Sequence, residues 1–214
     1  IDKKDDIKME KRSKKGFIPV MLMPFKANGD IDYNGLTRIT EFYVQSGAAG
    51  LFANCLSSVM FDLTPDERLT ATRHIVKVIN GRVPVVATGN FGKKLAHQAV
   101  FIKRMYDTGV VAVILVTSLL AKQEDPNEVF NANTFTLMDL TDNIPLGFYE
   151  CPLPYKRVLT PEQLRSFLET NRVIYHKDTC LDIDQVKAKI AVARGFDFGL
   201  YDAYLGHAVE SLQA

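Results

Sequence analysis

Residues 145–179 read PLGFYECPLPYKRVLTPEQLRSFLETNRVIYHKDT, and this stretch holds one whole βαβ unit. The run Pro145 to Phe148 has the length and apolar character of a buried strand. Thr160, Pro161 and Glu162 then mark a helix start, with proline at the first helical position, where its missing N–H is not needed. The helix is expected over Pro161 to Glu169, and a second apolar run, Val173 to His176, follows and ends in Lys177. A buried strand that ends in an ammonium group needs a reason. Desolvating that charge costs several kcal/mol or drives the lysine toward its neutral, nucleophilic form.

The same beat extends outward in both directions. Further strands are expected at Phe17 to Met21, Gly50 to Ala53, Val83 to Thr88, Val111 to Val116 and Phe196 to Leu200. Helices are expected near Tyr33 to Gln45, Pro65 to Ile79, Lys94 to Thr108, Asn127 to Leu140, Ile183 to Arg194 and Ala203 to Gln213. Thr64, Pro65 and Glu67 repeat the capping device, and Gly47, Gly109 and Gly195 stand where helices should stop.

Seven βα units of roughly 25 to 35 residues fit either a (β/α)8 barrel or an open doubly wound sheet. Met23, Pro24 and Phe25 occupy the turn after the first strand, where a dinucleotide-binding sheet carries a glycine-rich loop. The reading is therefore an α/β TIM barrel, with the eighth unit missing from this sequence and the protein expected to continue beyond Ala214, because open edges at the first and last strands would be costly. Residues 1–15 are read as a charged N-terminal extension and residues 16–214 as the catalytic barrel.

A formal net charge of +1 over 214 residues gives no electrostatic argument for nucleic acid, and the one dense basic stretch, Lys11, Arg12, Lys14 and Lys15, is interleaved with acids. No apolar run approaches the roughly 20 residues that cross a bilayer. No nucleic-acid or membrane partner is expected. The three cysteines, Cys55, Cys151 and Cys180, fit neither a disulfide framework nor a zinc ribbon, and a cytoplasmic location is the expectation.

In such a barrel, function collects where strands end. Those ends supply Asn54 to Ser58, Tyr149 and Glu150, Lys177, and Tyr201 with Asp202. Lys177 and Tyr149 fall on adjacent strands, within reach of one ligand. A neutral lysine adds to a ketone, and a phenol beside it moves protons on and off the carbinolamine and the leaving oxygen, which is class I aldolase chemistry.

At this point the residues resemble a known family. Gly147 to Pro152, followed by Leu159 to Glu162, is similar to the tyrosine motif of the dihydrodipicolinate synthase and N-acetylneuraminate lyase superfamily, and Val173 to Thr179 resembles its Schiff-base lysine strand. Pro24, Phe25 and Gly29 to Asp32 look like the family's opening turn, and Leu63 to Arg68 like the start of its second helix. The resemblance runs from about Gly16 to the end of the chain. It implies that Lys177 forms an imine with pyruvate or another 2-keto acid, that Tyr149 relays protons, that an aldehyde is the second reactant, that no cofactor is needed, and that the assembly is a homotetramer or homodimer.

The departures narrow the expectation. The family's carboxylate-holding loop reads Cys55, Leu56, Ser57, Ser58, Val59 here, so Ser57 and Ser58 keep hydroxyls while Leu56 cannot replace a relay hydroxyl. Tyr201 and Asp202 fall where sialic acid lyases contact substrate hydroxyls, with Ala203 in place of the glutamate that follows there; a bare helix N-cap at Asp202 is the alternative. The arginine that binds the aldehyde's carboxylate in lysine-pathway synthases would fall at Pro154, and a tyrosine of those enzymes near Ser118 to Leu120. Both losses argue against that reaction and for a less acidic, more apolar aldehyde. Lys156 and Arg157 remain possible carboxylate partners or plain loop cations. Without the resemblance, Asp178 would be the obvious ion-pair partner of Lys177, and His176 should point outward between strand and helix. The cysteines near strand ends raise a soft-metal or redox site as an alternative to plain core residues; no metal is expected.

Overall fold

The computed structural model describes residues 16–214, so the N-terminal extension with its basic stretch lies outside the described residues. Among the described residues six strands form one parallel sheet: β1 (Leu51–Ala53), β2 (Val85–Thr88), β3 (Ala112–Val116), β4 (Leu146–Tyr149), β5 (Val173–Asp178) and β6 (Gly199–Asp202). Each strand lies beside its predecessor in the chain. That unbroken order excludes the reversal on which a doubly wound sheet depends. It is the winding of a barrel.

The helices are α1 (Tyr33–Gln45), α2 (Pro65–Ile79), α3 (Leu95–Tyr106), α4 (Asn127–Asp139), α5 (Pro161–Leu168), α6 (Ile183–Ala193) and α7 (Ala208–Gln213). The start of α2 is a closed capping box: Glu67 N–H donates to Thr64 Oγ1 at 3.2 Å and Thr64 N–H donates to Glu67 Oε2 at 2.7 Å. At α5 the box closes through Gln163, with Thr160 N–H donating to Gln163 Oε1 at 3.0 Å, because the third helical position is the one that reaches back. Glu162 only marks the first turn. Among the described residues no helix is long and apolar enough to cross a membrane.

The expected first strand, Phe17 to Met21, is not one of the six. It runs extended beside β1 and makes a single bridge, Val20 to Phe52, with Phe52 N–H donating to Pro19 O at 3.0 Å and Met21 N–H to Phe52 O at 2.8 Å. Pro19 has no N–H to extend a ladder. The last strand also sits later than its reading, at Gly199–Asp202 instead of Phe196 to Leu200, and α7 begins only at Ala208 after a 3₁₀ turn, Leu205–His207. Phe196 and Phe198 pack instead against the layer between sheet and helices.

Two apolar cores follow from the pleat. Leu51, Ala53, Val85, Val113, Leu115, Leu146 and Phe148 face the helices, whereas Phe52, Val86, Ile114, Val116, Tyr149 and Tyr175 face the opposite side and form their own cluster. Phe148 packs on Phe167 of α5 with ring centroids 5.1 Å apart, and its full burial is worth roughly 1.5–3 kcal/mol. A sheet buried on both faces, with aromatic side chains on the inner one, is a curled barrel wall.

One irregularity decides which side chains enter the barrel. Leu146 pairs with Val173, but Gly147 pairs with Tyr175, so Ile174 is an extra residue in β5. The shift reverses the parity of everything after it, and Tyr149 thereby faces Lys177 instead of His176. Gly147 permits the shift. A Cβ there would lie 2.7 Å from Tyr175 O and 2.8 Å from Tyr175 Cβ.

Candidate active site

Lys177 ends the inward row of β5 and is the register partner of Tyr149 on β4 and of Tyr201 on β6. Its Nζ lies 4.3 Å from the Tyr149 ring centroid and 5.4 Å from that of Phe52. Among the described residues no carboxylate reaches this amine within ion-pair distance. Burial therefore holds its pKa below the usual lysine value, partly offset by the thiols of Cys55 and Cys151. Asp178, the partner that sequence alone suggests, points to the opposite face and bonds another lysine.

Tyr149 is buried and packs edge-on against Phe52 at 5.5 Å; Phe52 meets Tyr175 at 5.9 Å, and Tyr175 stacks on Tyr201 at 4.6 Å. The amine thus projects into an aromatic chamber. Burial, and after it the neighbouring thiols of Cys151 and Cys55, hold the Tyr149 phenol well above its usual pKa and keep it protonated. Cys55 and Cys151 are fully buried in this same inner cluster, while Cys180 lies outside it with its thiol on Asp182 O at 3.4 Å. Cys151 two residues beyond Tyr149 shares its face by simple alternation, which is the signal that makes it a neighbour of the phenol.

The loop after β1 is a 3₁₀ turn, Leu56–Ser58. Leu56 packs against the inner cluster, and Ser57 is exposed. Ser58 is buried and donates its hydroxyl proton to Met21 O at 2.6 Å, which ties the loop to the first extended segment. Val59 closes the turn at φ +50°, a left-handed conformation that strains a β-branched side chain. Tyr201 stands beside Lys177, but Asp202, one residue on, faces away. Its Oδ1 accepts the N–H of Tyr204 at 2.9 Å and its Oδ2 lies 2.6 Å from His207 Nδ1, so it caps a turn rather than the helix α7. Structure thus brings Lys177, Tyr149, Tyr201 and Leu56 together and turns Ser58 and Asp202 to other contacts.

The loop after β4 carries Lys156 and Arg157. Lys156 Nζ donates to Thr179 O at 2.6 Å. Arg157 donates to Lys122 O at 2.9 Å, Asp125 O at 2.8 Å and Asn127 Oδ1 at 3.1 Å. These contacts anchor the loop.

Behind Lys177 and Tyr149, on the helix-facing side, lies a cluster that sequence reasoning missed. Lys189 of α6 donates to Glu150 Oε1 and to Asp178 Oδ2, each at 2.7 Å, and His176 Nε2 stands 3.2 Å from Glu150 and 3.6 Å from Asp178. None of these four side chains is exposed. Burial alone would neutralise the acids, but His176 and Lys189 outweigh it and hold both carboxyls below their usual range. Burial likewise works against charge on His176, but Glu150 and Asp178 outweigh it and raise its pKa. Glu150, His176 and Asp178 have the donor set of a small metal site, and their ligand atoms lie within 4.8 Å of one another; the Lys189 ammonium already supplies a cation there. The signal was present: three polar residues adjoining inward Tyr149 and Lys177 must share the outer face, and Lys189 repeats the buried spacing of Val186 and Ala193 on α6.

Comparison with known proteins places this geometry. The family model described as the dihydrodipicolinate synthetase family matches residues 13–212. A 4-hydroxy-tetrahydrodipicolinate synthase from Shewanella frigidimarina is 26% identical over 186 residues, covering 87% of this chain and 62% of that protein. The chain thus spans less than two thirds of the length of the curated relatives it matches. Among solved structures, a dihydrodipicolinic acid synthase family protein from E. coli in complex with pyruvate superposes with a TM-score of 0.81 at 19% identity, over 92% of this chain and 66% of that one. A 2-keto 3-deoxygluconate aldolase from Picrophilus torridus gives a TM-score of 0.81 at 20% identity, over 93% and 70%. The fold is theirs, and the chain belongs to the dihydrodipicolinate synthetase family.

Proposed function

We propose that this protein is a Schiff-base lyase or aldolase of the class I type, acting on pyruvate or a related 2-keto acid together with an aldehyde. The observation that carries the reading is the register pair Tyr149 and Lys177, with the amine 4.3 Å from the phenol ring inside an aromatic chamber. Pyruvate in a structural relative and the aldolase activity named for another support the same substrate class.

In this reading the neutral Lys177 amine attacks the ketone carbon and gives a carbinolamine. Tyr149 protonates the departing hydroxyl, which leaves as water, and a protonated imine remains on Lys177. In the cleavage direction the tyrosinate takes the proton of the aldol hydroxyl, that oxygen becomes the aldehyde carbonyl, and the carbon–carbon bond one removed from the imine carbon breaks with its electron pair passing to the imine, leaving an enamine; reprotonation and hydrolysis return the keto acid and the free amine. Synthesis runs the same steps backward. Burial keeps the phenol protonated and so available as a donor, and the tyrosinate it leaves is a strong base that recovers its proton as the cycle proceeds.

The aldehyde is proposed to lack the carboxylate that the lysine-pathway aldehyde carries. Pro154 supplies no charge, and the donors of Arg157 are engaged by the carbonyls of Lys122 and Asp125 in the segment that precedes α4. The assembly is proposed to be a homo-oligomer in the cytoplasm. A second reading, a keto-acid-binding subunit without turnover, draws on Leu56 and on the Met21 contact of Ser58, which leave the loop after β1 without a free relay hydroxyl at either position.

Incubation with pyruvate and borohydride tests the first step. Expected is a mass increase of one reduced pyruvyl group that maps to Lys177 and vanishes in Lys177→Ala; no adduct would overturn the imine reading for pyruvate. An adduct without turnover over a panel of aldehydes would favour the second reading.

A further inference from the structure

We propose that Lys189 is a positioning residue for this chemistry: clamped between Glu150 and Asp178, it holds the ends of β4 and β5 so that Tyr149 and Lys177 face each other across the chamber. The inference rests on the imine reading of Lys177.

The argument starts from placement. Glu150 follows Tyr149 directly, and His176 and Asp178 flank Lys177, so the three outward side chains are one peptide unit away from the two inward ones. Their backbone cannot move without moving the amine and the phenol. Glu150 then ties four segments together. Its Oε1 accepts Lys189 Nζ of α6 and the N–H of Leu159 at 3.0 Å, just before α5; its Oε2 accepts the N–H of Thr179 at 3.0 Å, just after β5; and its own carbonyl accepts the Thr179 hydroxyl at 2.5 Å. Asp178 Oδ1 accepts the N–H of Cys180 at 2.8 Å. Both loops that leave the catalytic strands are therefore fastened to one buried cation.

Stability alone does not call for this arrangement. A buried ion cluster surrenders in desolvation much of what it gains in attraction, and apolar side chains of the same volume usually serve a core as well or better. What ions add is direction: a charge held at 2.7 Å by two carboxylates from two different strand ends admits one relative placement of those strands. The parity-reversing residue Ile174 makes such a lock useful, because a one-residue slip would carry Lys177 out of the chamber.

The test compares Lys189→Met with Lys189→Arg in the full chain, reading the borohydride trapping of pyruvate at Lys177 as a function of pyruvate concentration, with circular dichroism to verify folding. Lys189→Met keeps length and volume without charge. Expected is a maximal trapping rate at least tenfold lower, at an unchanged half-saturating pyruvate concentration, because binding survives while attack geometry does not. Lys189→Arg restores a cation and should recover most of that rate. A folded Lys189→Met protein that traps at the parent rate overturns the proposal, and so does a loss that appears only as weaker saturation. Should Lys189→Met not fold, Glu150→Gln/Lys189→Met removes two opposite charges together and carries the same comparison. Absence of trapping in the parent chain would sink the imine reading and this proposal with it, whereas parent trapping with an undisturbed Lys189→Met sinks this one alone.

Discussion

Tyr149 and Lys177 are direct register partners on adjacent parallel strands, and the lysine Nζ lies 4.3 Å from the phenol ring centroid. The ring and the hydroxyl of Tyr149 are separable: the ring packs on Phe52, and the hydroxyl is the group proposed to move protons. Tyr149→Phe is accordingly expected to keep the fold and its thermal midpoint while slowing imine formation by about 10²–10⁴-fold, the usual worth of a positioned acid–base group. Stopped-time borohydride trapping checks it. An unchanged rate would remove Tyr149 from the proton path.

The lysine itself should report its surroundings through pH. Burial lowers its pKa, so the neutral fraction at a given pH exceeds that of an ordinary lysine. Trapping should therefore rise with pH along a single titration whose midpoint lies below the usual value of 10.5. Lys177→Arg should show no trapping at any pH, because a guanidinium stays protonated.

Much of this was legible in the chain. Capping boxes at Thr64 and Thr160 set helix starts to the residue, because a cap is a local agreement between side chain and backbone. The apolar run ending in Lys177 was legible for the same reason. What escaped depends on distance in the chain. Lys189 lies 39 residues from Glu150; its spacing on α6 marks it as buried, but nothing local names the outer side of β5 as what it meets. The residue inserted at Ile174 is equally silent in sequence, since it shows only when Gly147 finds its partner. The late start of β6 belongs to the same class: Phe196 and Phe198 have strand-forming side chains, but the helix-side core takes them first.

The buried cluster should govern how stability varies with pH. Asp178 and Glu150 titrate below their usual values in the folded protein, so their contribution is present above the unfolded carboxyl pKa and lost as pH falls through the folded one. His176 runs the other way: its folded pKa is raised above 6.5, so its contribution is complete below that value and lost as pH rises through the folded pKa. A stability maximum in mildly acidic solution is expected, measured as thermal midpoint against pH. Removing one partner, as in Glu150→Ala, leaves a buried charge uncompensated and should cost about 3–5 kcal/mol. A shallower acid-side slope in that variant, with the share of Asp178 remaining, would tie the profile to these groups.

The loop after β1 offers the last test, because its strain and its chemistry can be altered separately. Val59 sits at φ +50°, where a β-branched side chain crowds its own backbone. Its side chain is over a third exposed, so little packing is lost on removal. Val59→Gly should stabilise the protein by about 1 kcal/mol in urea unfolding, since relief of the left-handed strain exceeds the added backbone entropy of the unfolded chain. Leu56 presents the opposite case. It packs on the inner cluster beside Lys177's aromatic surround, so Leu56→Thr removes apolar contact and should cost about 1–2 kcal/mol, while placing a hydroxyl on the chamber side of the turn. If the proton path needs a second hydroxyl there, Leu56→Thr will trap pyruvate faster than the parent despite being less stable. If instead the Cys151 thiol already serves the phenol, Leu56→Thr will lose stability with no gain in rate, and Cys151→Ala will be the variant that slows it.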